Sequence, residues 1–350
     1  MPCESYVVWN NKGGTGKTTL TFQLSAEYAE LHPEKKVVVI DMCPQANVSS
    51  ALLAKNSSPL LPLNPGEVVL EGKSYEKTIC GYLLMKLERG STELGINELM
   101  DFLTFVHSTN NNISKNVFLM CGDLHLEELS TRLQQERQLI AIRNISNWKR
   151  VTLFIKDYIQ RLGQNGEFVF FIDTNPSFSI YTEMAISAAE RLIVPFTADD
   201  FSLAAIKAML YLVYGNQTDQ SDHRRSLIEH QYYWLAKTHQ VNRPKLHLFV
   251  NNRATYHTTR AAAAFSGVAN EVRHLLNRVY GKQSAIFSQP LDKLCPDLHD
   301  FHSAGVISLH TGCPISKLKP GKHSVFDQTV QVQSNIGTYK ADIKKIIKML

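Results

Sequence analysis

NNKGGTGKTTL, residues 10–20, decides the fold of this chain. The apolar run YVVW (6–9) precedes it, and a helical pattern follows it, with Leu20, Leu24, Tyr28 and Leu31 spaced four, four and three apart on one face. A glycine-rich turn between a strand and a helix points several backbone N–H groups at one place, at the positive end of the helix dipole. Such a turn takes a phosphate. Gly13, Gly14 and Gly16 let the backbone approach, Lys17 supplies charge for the outer phosphate oxygens, and the Thr18 hydroxyl is placed for Mg²⁺. Thr15 and Thr19 complete the run. A phosphate cradle needs only Lys17, yet a second lysine, Lys12, stands at its start.

Further runs rich in Val, Ile and Phe recur outward from this loop: KVVVID (36–41), NVFLMC (116–121), FVFFID (168–173), RLIVPF (191–196) and LHLFVNN (246–252). Their apolar residues are continuous, as in strands buried on both faces of a parallel sheet covered by helices. WKRVTLFIKDYIQRL (148–162) carries a helical pattern just before the fourth of these strands. The pattern predicts an α/β fold, doubly wound, with a mostly parallel sheet flanked by helices. At 350 residues and 44% hydrophobic content the chain fits one large domain. Residues 56–116 read as an insertion, in which NSSPLLPLNPGE and HSTNNNISKN are loop-like and flank a predicted helix within YEKTICGYLLMKLERG.

Six cysteines are scattered with no CxxC pair, which fits neither a zinc site nor a disulfide framework and does fit a reducing cytoplasm. The N-terminus lacks a basic segment leading into a long apolar run, and no stretch approaches the ~20 apolar residues of a membrane span, so a soluble, cytoplasmic protein is expected. Net charge is +5 but unevenly spread: residues 201–350 hold 19 Lys and Arg against 9 Asp and Glu. That basic half suits a polyanion such as DNA or an anionic membrane.

The run KGGTGKTT resembles the deviant Walker A box of the ParA/MinD family of P-loop ATPases. The resemblance implies ATP and Mg²⁺ as ligands and a face-to-face homodimer, in which Lys12 reaches the nucleotide of the partner subunit. VVVIDMCPQANVSS (37–50) is similar to the family's switch I, with Asp41 at its first aspartate and a role at the metal. FVFFIDTNPSFS (168–179) is similar to the Walker B strand and switch II, so that Asp173 would hold Mg²⁺ through water and NPS would sense the γ-phosphate. LFVNNR (248–253) ends where relatives bind the adenine edge, which makes Asn251 or Asn252 the candidate; FSQPLDK and FHSAGVI resemble the segment closing over the base, with Pro290 a further candidate.

The chain departs from the family at Cys43, where an aspartate usually positions the attacking water. A thiol orders water less well than a carboxylate, and losing a general base typically costs on the order of 10² to 10⁴ in rate. Slow or partner-stimulated ATP hydrolysis is therefore expected, unless Asp41 takes over; a redox-sensing thiolate is the alternative role for Cys43. The resemblance implies a switch that binds DNA non-specifically as the ATP-bound dimer, at the nucleoid, and carries a cargo through an adaptor or activating protein. Arg224, Arg225, Arg273 and Arg278 are the candidate DNA contacts. A MinD-like membrane cycle is the alternative. It rests on the C-terminal segment 338–350, whose Tyr339, Ile343, Ile346, Ile347 and Leu350 form an apolar stripe beside Lys340, Lys344, Lys345 and Lys348. A P-loop amidoligase or kinase is a third reading, for which no second-substrate motif is present.

Overall fold

Continuous apolar runs become central strands because both of their faces can be buried. The computed structural model describes residues 3–54, 77–90, 93–139, 146–215, 231–254, 260–325 and 328–350. Its strands are β1 (Glu4–Val8), β2 (Lys36–Met42), β3 (Thr104–Phe105), β4 (Val117–Met120), β5 (Phe168–Thr174), β6 (Arg191–Phe196), β7 (Lys245–Ala254) and β8 (Asp297–His299). They form one eight-stranded sheet in the order β3-β4-β2-β5-β1-β6-β7-β8. The edge strand β3 pairs antiparallel with β4, and the other pairings are parallel. All six apolar runs of the sequence appear as strands, and the doubly wound α/β expectation is met.

The order of the strands brings the carboxyl ends of β2, β5, β1 and β6 side by side. From β1 the chain builds β2, β3 and β4 on one side, returns to β5 between β2 and β1, and then crosses to β6, β7 and β8 on the other side, which leaves a crevice at those ends where ligands bind in open α/β sheets. Side chains alternate between two cores. On one face Tyr6, Val8, Val37, Val39, Val169 and Phe171 pack under α1 (Lys17–Leu31), α2 (Asn47–Leu52), α12 (His302–Thr311) and α13 (Ile336–Ile347). On the other, Val7, Trp9, Val38, Ile40, Phe170 and Ile172 pack under α3 (Ile79–Arg89), α4 (Ile96–Asp101), α5 (Leu126–Gln138), α6 (Asn147–Thr152), α7 (Phe154–Gly163) and α8 (Ile180–Ala188). The same layer takes in α9 (Asp200–Tyr214), α10 (Tyr232–Thr238) and α11 (Arg260–Gln283). The helix expected over 148–162 is two segments that meet at Leu153. A hairpin of β9 (Gly321–Val325) and β10 (Gln328–Val332), which lacked an apolar signature in the sequence, leans on α12.

Within 56–116 the described parts, 77–90 and 93–116, are built into the fold: Ile79, Tyr82, Leu83, Leu99, Val106 and Ile113 are all buried, and β3 extends the sheet. The C-terminal segment is likewise committed. Tyr339, Ile343, Ile346 and Ile347 of α13 are buried in the core beside α1, and Leu350 packs partly against them. Asp342 accepts hydrogen bonds from the His299 backbone N–H (3.0 Å) and ring (2.6 Å), and Tyr6 and Arg191 donate to the Leu350 carbonyl. The stripe that the membrane alternative turned toward lipid therefore faces the protein, because the sheet's α1 side would otherwise be left uncovered. No described helix is long and apolar enough to cross a membrane.

Ile346 is fully buried. Ile346→Ala should lower stability by about 2–5 kcal/mol, read as a fall in the urea midpoint; an unchanged midpoint would mean that α13 does not hold the core together.

Candidate functional site

The turn between β1 and α1 is shaped by conformations that only glycine adopts cheaply. Gly14 and Gly16 have φ of +72° and +85°, and Gly16 caps α1. A Cβ on Gly16 would also stand 2.1 Å from the Asn252 amide nitrogen. Asn252 donates to the Thr15 carbonyl at 2.9 Å, so the end of β7 braces the loop. Thr15 and Lys17 are buried; Gly13 and Gly14 are exposed, and Thr18 and Thr19 are half-buried on the first turn of α1. Lys17 folds its ammonium onto the Lys12 carbonyl at 3.0 Å. Burial pulls its pKa down, against the opposing charge of Asp173.

Beneath the loop, Asp41 and Asp173 are register partners on β2 and β5, both fully buried on the face toward α1. Asp173 accepts from Thr18 Oγ1 and Thr21 Oγ1, each at 2.9 Å. Asp41 holds the switch-like turn. Its Oδ1 accepts the Cys43 N–H at 3.0 Å, and its Oδ2 accepts the Ser49 N–H and hydroxyl at 3.0 and 2.7 Å. Gly122, after β4, donates to the Ser49 hydroxyl, and a Cβ there would meet Asp41 Cγ and Ala46 Cβ at 2.9 Å. Burial pushes both carboxyls above the ordinary range, and Asp173 is raised further by its neighbour Asp41. A pair raised in this way, lined by two threonine hydroxyls and a lysine, has the donor chemistry of a Mg²⁺ site with phosphate.

Cys43 is buried at the end of β2, and burial together with the Asp41 and Asp173 charges pushes its thiol up to about 12. These surroundings favour the neutral thiol over the thiolate. Lys12 is not extended. Its ammonium pairs with Asp199 and lies 3.3 Å from the hydroxyls of Thr197 and Ser202, in the turn from β6 into α9. Asp199 is drawn below the ordinary carboxyl range, its partial burial outweighed by the hydrogen bonds from Lys12 and Thr197.

The two asparagines part company. Asn252 braces the loop, while Asn251 points to the opposite face, where its Nδ2 donates to Asp297 at 2.8 Å and its Oδ1 is buried with no hydrogen-bond partner among the described residues. An unpaired buried acceptor costs roughly 1–3 kcal/mol. Pro290 does not belong here. The chain at 287–294 runs beside Leu246 and Phe249, before the carboxyl end of β7, and β8 itself begins only at Asp297. The sequence offered a proline in a matching phrase, whereas strand pairing puts Asp297, Leu298 and His299 beside Asn251, Asn252 and Ala254. Among the candidate DNA contacts, Arg273 is tied to Asp297 at 3.2 Å and Arg278 is exposed. Arg224 and Arg225 lie outside the described residues. Thr21, Ser49, Gly122, Asp199 and Asp297 were not anticipated. Family-like phrases contained two of them, Ser49 within 37–50 and Asp199 within 188–206, with no role assigned.

Residues 4–223 match the sequence model of a family described as an AAA domain. The ParA family protein MG470 of Mycoplasma genitalium is 24% identical over 197 residues, which cover 56% of this chain and 60% of that protein. The virulence plasmid ParA family protein pGP5-D of Chlamydia trachomatis is 26% identical over 196 residues, covering 56% and 57%. The chain thus spans about three-fifths of the length of the curated relatives it matches. Among solved structures, the ATP complex of a McdA variant from Cyanothece aligns over 99% of this chain and 96% of that one, with a TM-score of 0.59 and 15% identity. The plasmid partition protein BB_S35 of Borrelia burgdorferi B31, bound to AMPPNP, aligns over 100% of both chains with a TM-score of 0.54 and 13% identity. At such identities the likeness is one of fold.

A thiol at about 12 carries ~10³-fold less thiolate at pH 8 than a free cysteine of pKa ~8.5. Cys43 should accordingly be alkylated by iodoacetamide at least about 10³-fold more slowly than a model thiol at that pH. Peptide mapping by mass spectrometry reads the rate, and rapid labelling at Cys43 would favour the thiolate.

Proposed function

This chain belongs to the AAA-domain family, and from that premise we propose that it is a ParA-like P-loop ATPase acting as an ATP-driven dimerising switch. In this reading the ATP-bound dimer binds DNA non-specifically to segregate or position a cargo, and hydrolysis is slow until a partner protein completes the site. The observation that carries it is the gathering, at one end of the sheet, of the loop around Lys17, the Thr18–Asp173 pair and a second lysine held outside the cradle.

Each residue has a task that its position supports. The loop N–H groups and Lys17 bind the phosphates, and Lys17 is released from the Lys12 carbonyl when they arrive. Thr18, Asp173 and, from the adjacent strand, Asp41 form the metal side of the site. Mg²⁺ bound there supplies charge neutralisation of the phosphate oxygens. Asn251 takes the base edge. Lys12 exchanges Asp199 for the γ-phosphate of a partner subunit, which offsets the repulsion between two apposed triphosphates. Cys43 supports slow turnover because its neutral thiol cannot take a proton from water, and Asp41 already accepts three hydrogen bonds that hold the turn. The basic charge of residues 201–350 supports the DNA part of the reading, since such binding is largely electrostatic.

Lys17→Ala should abolish ATP binding in titration calorimetry. Lys12→Ala should keep ATP affinity within about two-fold, yet give no ATP-induced dimer by light scattering and no ATP-dependent retention on DNA. A normal ATP-induced dimer of Lys12→Ala would remove the trans role of this lysine.

Cys43→Asp restores a carboxylate where water would be held, and should raise ATP turnover ~10-fold or more, ~1.4 kcal/mol off the barrier, at unchanged ATP affinity. Cys43→Ser keeps the size without the charge and should stay slow. Equal rates in the two variants would assign the water to another residue.

A further inference from the structure

Of the two buried carboxyls, Asp41 carries the more crowded set of donors. Ser49, fully buried in α2, gives its Oδ2 both a backbone N–H at 3.0 Å and a hydroxyl at 2.7 Å, while the Cys43 N–H reaches Oδ1 at 3.0 Å. A hydroxyl has a single proton, and its lone pairs only accept. Gly122 donates its N–H to the Ser49 hydroxyl at 3.0 Å, so the one hydroxyl proton is left to point at Asp41. Each carboxylate oxygen accepts about two hydrogen bonds. Ser49 therefore fills Oδ2, and Oδ1 keeps room for one more partner. Gly122 is itself held in place, because its neighbour Asp123, fully buried, accepts from Thr78 Oγ1 at 2.8 Å and from the His125 N–H at 3.0 Å. The starts of α3 and α5 thus fix the end of β4 against the carboxyl. A Cβ at Gly122 would lie 2.9 Å from Asp41 Cγ, which leaves space for glycine alone.

We propose that Ser49, held by the Gly122 N–H, is a positioning residue that fills Asp41 Oδ2 and leaves Oδ1 as the one oxygen of that carboxylate open to a cation, so that the site selects Mg²⁺ over Ca²⁺. The inference rests on the reading that Asp41 stands on the metal side of a nucleotide site. Mg²⁺ is small, demands a near-ideal octahedron, and needs only one oxygen from a carboxylate. Ca²⁺ is larger, takes more ligands, and often draws on both oxygens of one carboxylate. An Asp41 with Oδ2 filled meets the first demand and fails the second. Removing the hydroxyl frees a lone pair on Oδ2, and the carboxylate can then offer both oxygens.

Titration calorimetry of the full chain with ATP, at saturating Mg²⁺ and at saturating Ca²⁺, tests this. The native chain should bind ATP at least about 10-fold more tightly with Mg²⁺ than with Ca²⁺. Ser49→Ala should bring the two within about three-fold, chiefly by strengthening the binding with Ca²⁺. Ser49→Cys fills the same space with a weaker donor and should move the ratio in the same direction. Ser49→Thr keeps the hydroxyl and should keep the native ratio. A merely structural hydroxyl would weaken ATP equally with both cations and leave the ratio where it was; that outcome overturns the proposal while the metal reading stands. A native chain without the Mg²⁺ preference overturns it with no variant needed. ATP binding that is the same in EDTA as in Mg²⁺ would instead overturn the reading of Asp41 on which the proposal rests.

Discussion

Two fully buried carboxyls, Asp41 and Asp173, stand side by side where β2 and β5 end, and the rest of the site is hung from them. Like charges at that separation in a dry interior cannot both ionise cheaply, which is why both are pushed upward. Each is anchored differently. Asp173 is fastened to α1 through Thr18 and Thr21, and so senses the phosphate loop. Asp41 is fastened to the turn after β2 through Cys43 and Ser49, and Ser49 reaches on to Gly122. A divalent cation between the two would let both carry charge at once, coupling the helix that holds the phosphates to the turn that would hold the water.

The two lysines of the loop answer to different fields. Lys17 is buried against its own loop and rests on a backbone carbonyl, a weak partner that a phosphate readily replaces. Lys12 is half-exposed and already has a full negative charge in Asp199, with two hydroxyls beside it. Displacing it needs a stronger anion, presented from outside the cradle. Under the proposed function that difference makes Lys17 respond to one nucleotide and Lys12 to the meeting of two.

Much of the fold was legible because parallel strands buried on both faces leave unbroken apolar runs, and a strand, a glycine loop and a helix in succession admit few arrangements. The six runs became six strands. The elements without such runs were missed: β8 spans three residues, β3 two, and the hairpin β9–β10 is largely exposed. Local chemistry was legible at the loop, where neighbours in sequence are neighbours in space. It was not at Asp297, Gly122 or Asp199, whose partners Asn251, Asp41 and Lys12 lie 46, 81 and 187 positions away. Pro290 was misplaced for the same reason, since a phrase that resembles another does not fix the level at which it enters the sheet. The C-terminal stripe was read correctly as apolar, but a stripe does not say what covers it.

That stripe also changes what the basic half of the chain amounts to. A balance of +10 over residues 201–350 is a count, and part of it is spent internally: Arg273 holds Asp297, and Lys317 pairs with Glu30 across the fold. Docking α13 by its apolar side has the opposite effect on the lysines of that helix. With Ile343, Ile346 and Ile347 turned inward, Lys344, Lys345 and Lys348 are turned out and exposed, as is Arg278 on α11. A helix whose composition suggested insertion into a membrane thus presents to solvent a row of cations over a packed core. Such a surface attracts a polyanion by long-range field alone, weakening as salt rises, and it needs no apolar contact to do so.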